Sequence, residues 1–193
     1  AGVTVDRREG RFVSDRSVHL IDLPGTYSLR TTSPDEAVAR DVLLGKYGVC
    51  PDGIIAVADA TNLRMTLRMM LELKTLGLPM VISLNLSDVA RSRGLKIDAK
   101  KLGELLGATV LETVAISKSG VMAVETAALA LPRGHAAKLD PVEAERKLEA
   151  LDSNALYEQV EDILAQVVQT ELKLPPWHRT LDNIVMHPFW GML

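Results

Sequence analysis

A mostly parallel α/β sheet covered by helices on both faces is the fold class this sequence predicts, and three observations carry it. Short, predominantly apolar runs (18–21, 53–58, 79–84 and 109–114) alternate with amphipathic stretches of helical spacing. Predominantly apolar runs, unlike strictly alternating ones, mark strands covered on both faces, as parallel strands are. Three of the runs lead into polar residues, Asp22, Asp59 and Asn85. Ligands of such sheets sit beyond the carboxyl ends of the strands. Asp22, Asp59, Asn85, Asp88 and the segment after Val114 are therefore the residues to follow.

In chain order, Val3 to Val13 alternates around Glu9-Gly10 and predicts a strand or hairpin at a sheet edge. Val18 to Ile21 predicts a strand buried on both faces. Ser33-Pro34-Asp35-Glu36 combines a capping serine, a first-turn proline and a glutamate three residues after the cap, so a helix is expected to about Leu44, stopped by Gly45. After the strand ending at Asp59, Thr61 or Asn62 is expected to cap a helix carrying Leu63, Leu67, Met70, Leu71 and Leu76 before Gly77. Pro79 to Asn85 is a third strand. Asp98 is expected to cap a short helix, 99–106, closed by Gly107. A strand over 109–114 and a helix over 121–131 follow. Pro132 to Pro141 shifts to Gly, Ala, His and Lys and reads as a linker. Helical patterning returns at 143–151, and most strongly at 154–174, where Pro175-Pro176 ends it. Thr180 to His187 predicts one more short helix. The expected organisation is a sheet domain over 1–132, a linker over 133–141, a helical domain over 142–187 and a distinct tail over 188–193.

Composition narrows the function classes. The 193 residues are 47% hydrophobic and 24% charged, with a net charge of −3. This suits one α/β domain with a smaller appendage and, without a basic stripe, argues against nucleic acid as a partner. The single cysteine, Cys50, excludes an internal disulfide framework and a Cys-rich metal site, so a reducing cytoplasmic setting is expected. His19, His135, His178 and His187 lack His-x3-His spacing, so zinc is not expected. No apolar run approaches the ~20 residues that span a bilayer. The opening, Ala1 to Asp6, reads as a loop running into a strand, as expected of a fragment.

Four motifs carry the chemistry. Asp22-Leu-Pro-Gly25 places an acid at a strand end and a free glycine amide just after it, which is how P-loop GTPases organise magnesium and hold the γ-phosphate. Asn85-Leu-Ser-Asp88, at another strand end, has the N-x-x-D spacing that reads guanine. The Asp88 carboxylate would accept from both the ring N–H and the amino group of the base while Asn85 braces the loop. Adenine cannot supply both donors, and an acid left unpaired there is costly. Val114-Ala-Ile-Ser-Lys-Ser-Gly120 stands where a second loop braces the base, through Ala115 and Ile116. Thr4, upstream of the Asp22 strand, stands where a switch I threonine ligates magnesium. Each motif alone is common. Their order, each at a strand end, predicts the P-loop GTPase fold.

The longer strings narrow this further. Gly2-Val-Thr-Val-Asp-Arg-Arg-Glu-Gly10, Asp22-Leu-Pro-Gly-Thr-Tyr-Ser-Leu29, Ser33-Pro-Asp-Glu36 and Asp59-Ala-Thr-Asn-Leu63 resemble the cytoplasmic N-terminal region of the ferrous iron transport protein B (FeoB) family. The resemblance implies a GTP-binding and GTP-hydrolysing domain, followed by a helical domain, that couples nucleotide state to Fe2+ uptake. It also implies GTP or GDP with Mg2+ as ligands, stimulation by K+, the transporter's own membrane domain as partner, and a place on the cytoplasmic face of the bacterial inner membrane. A homo-oligomer is left open. Phosphate contacts fall on Thr4, Asp22 and Gly25, magnesium contacts on Thr4 and Asp22, and guanine contacts on Asn85, Asp88, Ala115 and Ile116. The tail Leu181 to Gly191, with Phe189 and Trp190, resembles the entry to the family's first membrane helix.

The sequence also departs from the family. Leu86 stands where the guanine motif usually has lysine, or methionine in this family. Thr26 follows Gly25 where Ras-like proteins have a water-positioning glutamine, so no catalytic residue is assigned and intrinsic hydrolysis is expected to be slow. No G-x-x-x-x-G-K-[S/T] occurs in the 193 residues. In the family that loop follows a central strand, so a gap is expected between the strands near Val18 and Ile54. Two other readings compete: a soluble GTPase of ribosome or tRNA maturation, which predicts a basic domain after Leu131, and a truncated, non-hydrolysing interaction module. Without the phosphate loop, this chain is expected to bind a fluorescent GDP analogue weakly or not at all in a direct titration. Tight binding would show the expectation to be wrong.

Overall fold

The computed structural model describes residues 8–30, 34–48, 50–134 and 140–170. Its centre is a parallel three-stranded sheet of β3 (Ile54–Asp59), β4 (Met80–Asn85) and β6 (Thr109–Glu112), in the order β3-β4-β6. Asp59 pairs in register with Asn85, and Leu84 with Glu112, so the three strands end along one edge. A separate antiparallel pair joins β1 (Arg8–Arg11) to β2 (His19–Asp22), with Asp22 opposite Arg8.

No backbone ladder joins β2 to β3 among the described residues. The expected break in the sheet therefore lies between these two strands. Its consequence corrects one expectation. The strand at 18–21 does not lie buried on both faces: in β2 Leu20 is 40% exposed, because a two-stranded ribbon has nothing to cover it. Val57, in the middle of β3 at the edge of the three-stranded sheet, is 62% exposed. Glu9-Gly10 lies inside β1, and the connection between the two strands runs from Phe12 to Val18 instead. Residues 1–7 lie outside the described region.

Helix boundaries follow local chemistry. α1 (Pro34–Leu43) ends just before Gly45, whose φ of +71° suits a residue without a side chain. Its expected cap, Ser33, lies outside the described residues. Asn62 stands at the cap of α2 (Leu63–Thr75) but makes no side-chain capping bond. Asp59 folds back instead, its carboxylate accepting from the Thr61 amide and hydroxyl, both at 2.7 Å. Two short elements come next that periodicity did not reveal, α3 (Ser87–Ser92) and β5 (Leu95–Ile97). Asp98 caps α4 (Ala99–Leu106) by accepting from the Lys101 amide, and Gly107 closes it at φ +70°, as expected. α5 spans Val121–Leu129.

The helical appendage departs most from its periodicity. Asp140 is the N-cap of α6 (Pro141–Glu149), accepting from the Val142 and Glu143 amides, so the helix begins two residues before the patterning at 143 suggests. α7 runs from Ser153 to Val167 and stops well short of residue 174. Its apolar stripe continues, but Val168–Thr170 leaves the helix as β7 and pairs antiparallel with β5, Leu95 opposite Thr170. Two adjacent β-branched valines favour that exit, and β5 offers a free edge. The residues after 170, with the short helix and aromatic tail expected there, lie outside the described region.

One apolar core serves both parts. Leu148, Leu156, Val160, Ile163 and Val167 of α6 and α7 share it with Leu63, Leu67 and Met70 of α2 and Ile82 and Leu84 of β4. α2 packs on β3 and also on α7, α6 and α4. Ion pairs add to the seam: Glu145 of α6 meets Lys46 at 2.9 Å and Arg40 at 3.6 Å, and Arg64 of α2 pairs with Glu161 of α7.

Gly120 sits at φ +78°, and a Cβ there would lie 2.3 Å from the Glu112 carbonyl oxygen. Gly120→Ala is expected to cost about 2–3 kcal/mol, read as a lower urea midpoint, since both the left-handed backbone and the clash must be relieved. The connection between β1 and β2 docks on α5, where Glu125 accepts from the Ser14 hydroxyl at 2.5 Å and its amide at 3.0 Å. The hydroxyl bond chiefly, then the amide bond, holds the Glu125 carboxyl below the usual glutamate range. A lowered pKa means the docking is complete above that range and is lost as pH falls through the lowered value. The protection of the Ser14 amide, its exchange rate taken relative to the unprotected rate at the same pH, is expected to fall in that window and to stay constant above it.

Candidate nucleotide site

Every residue singled out at a strand end, Thr4 excepted, lies in the described region. Asp22 closes β2 and its carboxylate is exposed, with no partner among the described residues. Gly25 is exposed too, and a Cβ placed there would meet nothing within 4 Å, so its backbone faces open space. Asp59 differs: its turn with Thr61 occupies it, which makes it a structural acid. Thr26 is likewise committed, donating to the Ser28 carbonyl at 2.7 Å and accepting from the Ser28 amide at 3.2 Å. Its hydroxyl is used inside the turn and is not offered as a base.

On the other side, β4 and β6 end side by side because polar groups stitch them. The Ser83 and Thr113 hydroxyls lie 2.8 Å apart, Ser87 Oγ donates to the Thr113 carbonyl at 2.9 Å, and Thr113 is buried. Asn85 then reaches across: its Oδ1 accepts from the Ala115 amide at 3.1 Å. That bond ties the N-x-x-D turn to the 114–120 loop. The loop itself closes tightly, Val114 donating to the Ser119 carbonyl at 3.0 Å, with Lys118 and Gly120 both in left-handed conformation. Ile116 projects from it, 93% exposed. Asp88, in the first turn of α3, is exposed and has no partner among the described residues.

Leu86 completes the geometry in a way its identity did not announce. It has φ +60° and ψ 27°, a left-handed conformation that costs a leucine roughly 1–2 kcal/mol. Strain of that kind persists where the surroundings over-determine it. Here the Asn85–Ala115 bond on one side and the Ala90-to-Leu86 helix bond at 2.9 Å on the other hold the turn.

A cavity of about 320 Å³ connects the two halves. Gly25, Thr26 and Tyr27 form one wall; Val57, Asp59, Asn85 and Leu86 form the facing one. The structure thus brings Gly25 and Asn85 to one cavity and joins Asn85 to Ala115. Asp22 and Asp88 are not among its walls. The Asn85 half is braced by hydrogen bonds, whereas the Gly25 half rests on a loop.

Comparison with known proteins agrees with this geometry. A family model described as ferrous iron transport protein B matches residues 1–128. The chain is 41% identical over 132 residues to the Fe(2+) transporter FeoB of Salmonella typhimurium and 40% identical over 132 residues to that of Escherichia coli K12. Each match covers 66% of this chain but 17% of the relative, so the chain spans about a sixth of those proteins' length. Among solved structures, a GDP-bound mutant of S. thermophilus NFeoB superposes with a TM-score of 0.73 at 25% identity, covering 87% of this chain and 88% of that one. The cytosolic domain of L. pneumophila FeoB gives 0.73 at 28% identity, covering 88% and 86%. The architecture is that of the P-loop GTPase domain, and the chain belongs to the ferrous iron transport protein B family.

Proposed function

We propose that this chain is the guanine-nucleotide-responsive unit of a ferrous iron transporter on the cytoplasmic face of the bacterial inner membrane, coupling nucleotide state to Fe2+ uptake through the transporter's membrane domain. One observation carries the nucleotide reading: Asn85 is spent on bracing the Ala115 loop while Asp88 is left exposed and uncommitted. That division of labour suits recognition of guanine by two donors on one carboxylate, with Ala115 and Ile116 on the far side of the base. No described helix is long and apolar enough to cross a membrane.

The phosphate side fits the same ligand. A carboxylate at Asp22 with no partner among the described residues suits a hard cation, and open space at Gly25 leaves room for a phosphate oxygen to meet its amide. Magnesium, when bound, supplies positive charge to the phosphate oxygens. Thr4 is the second residue proposed to hold it, and K+ the second ion. With Thr26 engaged inside its turn, the chain's own contribution is to bind and orient, with water attacking the γ-phosphate without a side-chain base.

A non-hydrolysing interaction module is the second reading, and the edges of β2 and β3, which pair with no further strand among the described residues, favour it. Amide chemical shifts, which read even millimolar affinities, separate the two. GDP, and not ADP, is expected to shift residues 85–88 and 115–120, and Asp88→Ala is expected to abolish the preference, which a site built on two hydrogen bonds can raise 100-fold or more, on the order of 3 kcal/mol. Equal responses to GDP and ADP, or none, would favour the interaction module.

A further inference from the structure

Glu72 is a buried acid that none of the roles above uses. It lies on α2, fully buried, at a level where Met70, Leu71 and Leu73 are also buried. Its carboxylate accepts from the Leu29 amide at 2.5 Å and from the Ser28 hydroxyl at 3.0 Å to each oxygen. One guanidinium, Arg68 at 3.2 Å, approaches it one turn earlier on the same helix, and that side chain is partly exposed. Removing a carboxylate from water is costly, and one cation at the solvent edge offsets it only in part. The remaining stabilisation comes from Ser28 and Leu29, so the acid and that segment depend on each other.

The position of that segment gives the contact its consequence. Residues 23–30 belong to no strand or helix, and their internal bonds are local: Thr26 with Ser28, and the Arg30 amide with Ser28 Oγ at 3.0 Å. Glu72 ties the middle of the segment to α2, helped by the buried Leu29 side chain. Gly25 is three residues from Ser28, a reach of about 10 Å at full extension. The next residue outward, Arg30, donates from Nη1 to Ser153 Oγ at 2.7 Å, at the first turn of α7. From the cavity to the appendage the chain of contacts is therefore continuous.

We infer that Glu72 is a positioning residue: it fixes the Gly25 loop to α2, so that a shift of the Gly25 amide is felt by α2 and by α7 packed against it. The inference builds on the nucleotide reading, because Gly25 matters as the amide that meets the terminal phosphate. Nothing in the spacing of α2 announced it; a glutamate among leucines at helical spacing looks like a solvated position.

Amide hydrogen exchange on the full chain tests it without nucleotide. In Glu72→Ala the Leu29 amide is expected to exchange at least tenfold faster, together with Thr26 to Arg30, while the β3–β4 ladder keeps its protection. Glu72→Gln keeps an acceptor for the Leu29 amide and is expected to restore its protection to within about threefold. If Glu72→Ala fails to fold, Ser28→Ala removes the hydroxyl shared by Glu72 and the Arg30 amide, and the Leu29 amide, which bonds Glu72 and not that hydroxyl, is expected to loosen. Unchanged Leu29 exchange, or equal acceleration of the β3–β4 ladder in both variants, would overturn the inference. A second readout separates positioning from mere structure. Glu72→Ala is expected to weaken a GTP analogue about tenfold more than GDP in the chemical-shift titration, since the γ-phosphate is what meets Gly25; equal weakening would count against it. If the unaltered chain binds neither nucleotide, the nucleotide reading fails, and the exchange data still decide whether Glu72 holds the loop.

Discussion

Helix α2 must satisfy two surfaces at once, and the rest of the structure follows from that constraint. Met70, Leu71, Glu72 and Leu73 are consecutive and all buried, which covers a full helical turn. A helix enclosed in this way cannot turn a polar residue to water, so each group on that turn needs a protein partner. The sheet takes one side, α7 with α6 and α4 the others, and the Ser28–Leu29 segment takes the carboxylate. The appendage is therefore continuous with the sheet domain's own core. Cutting a large apolar residue to alanine in such a shared core typically costs about 2–5 kcal/mol, so the two parts are expected to lose stability together.

The site shows an opposite balance on its two sides. Where β4 and β6 end, buried hydroxyls and the Asn85 amide hold the backbone by short polar bonds, tightly enough to keep Leu86 in a left-handed conformation. Buried, mutually satisfied polar groups specify one arrangement in a way that apolar packing does not. Where β2 and β3 end, no ladder joins the strands, and Leu20 and Val57 stay open to solvent. An open strand edge with exposed apolar residues offers unpaired backbone groups to any extended segment that reaches it. Rigidity thus sits with the residues proposed to read the base, and adaptability with those proposed to meet the phosphates.

Much of this was legible in the amino acids. Alternating apolar runs and amphipathic stretches are local properties, and they predicted the parallel sheet, the caps at Asp98 and Gly107, and the strand ends that carry Asp22, Asp59 and Asn85. The residue types of Asn85 and Asp88 marked an amide and a carboxylate to follow at a strand end, but the bond that Asn85 makes is to Ala115, 30 residues on, and only the fold supplies it. The extended strings Asp22 to Leu29 and Asp59 to Leu63 were enough to suggest the family.

What the sequence left open depends on partners far along the chain. Periodicity continues α7 past Val167, since a stripe of valine and leucine looks the same whether it faces a helix groove or a strand; only the free edge of β5 converts 168–170 into β7. Exposure of β2 was hidden because an apolar run says that a strand can be buried, not that a neighbour is there to bury it. The roles of Glu145 and Glu72 were equally invisible. A glutamate on a helix is read as solvated until the tertiary structure brings Lys46 to one and the Leu29 amide to the other. Short-range chemistry determined which elements form and which side chains stand at their ends. Long-range packing decided which of those ends are held, and which are left free.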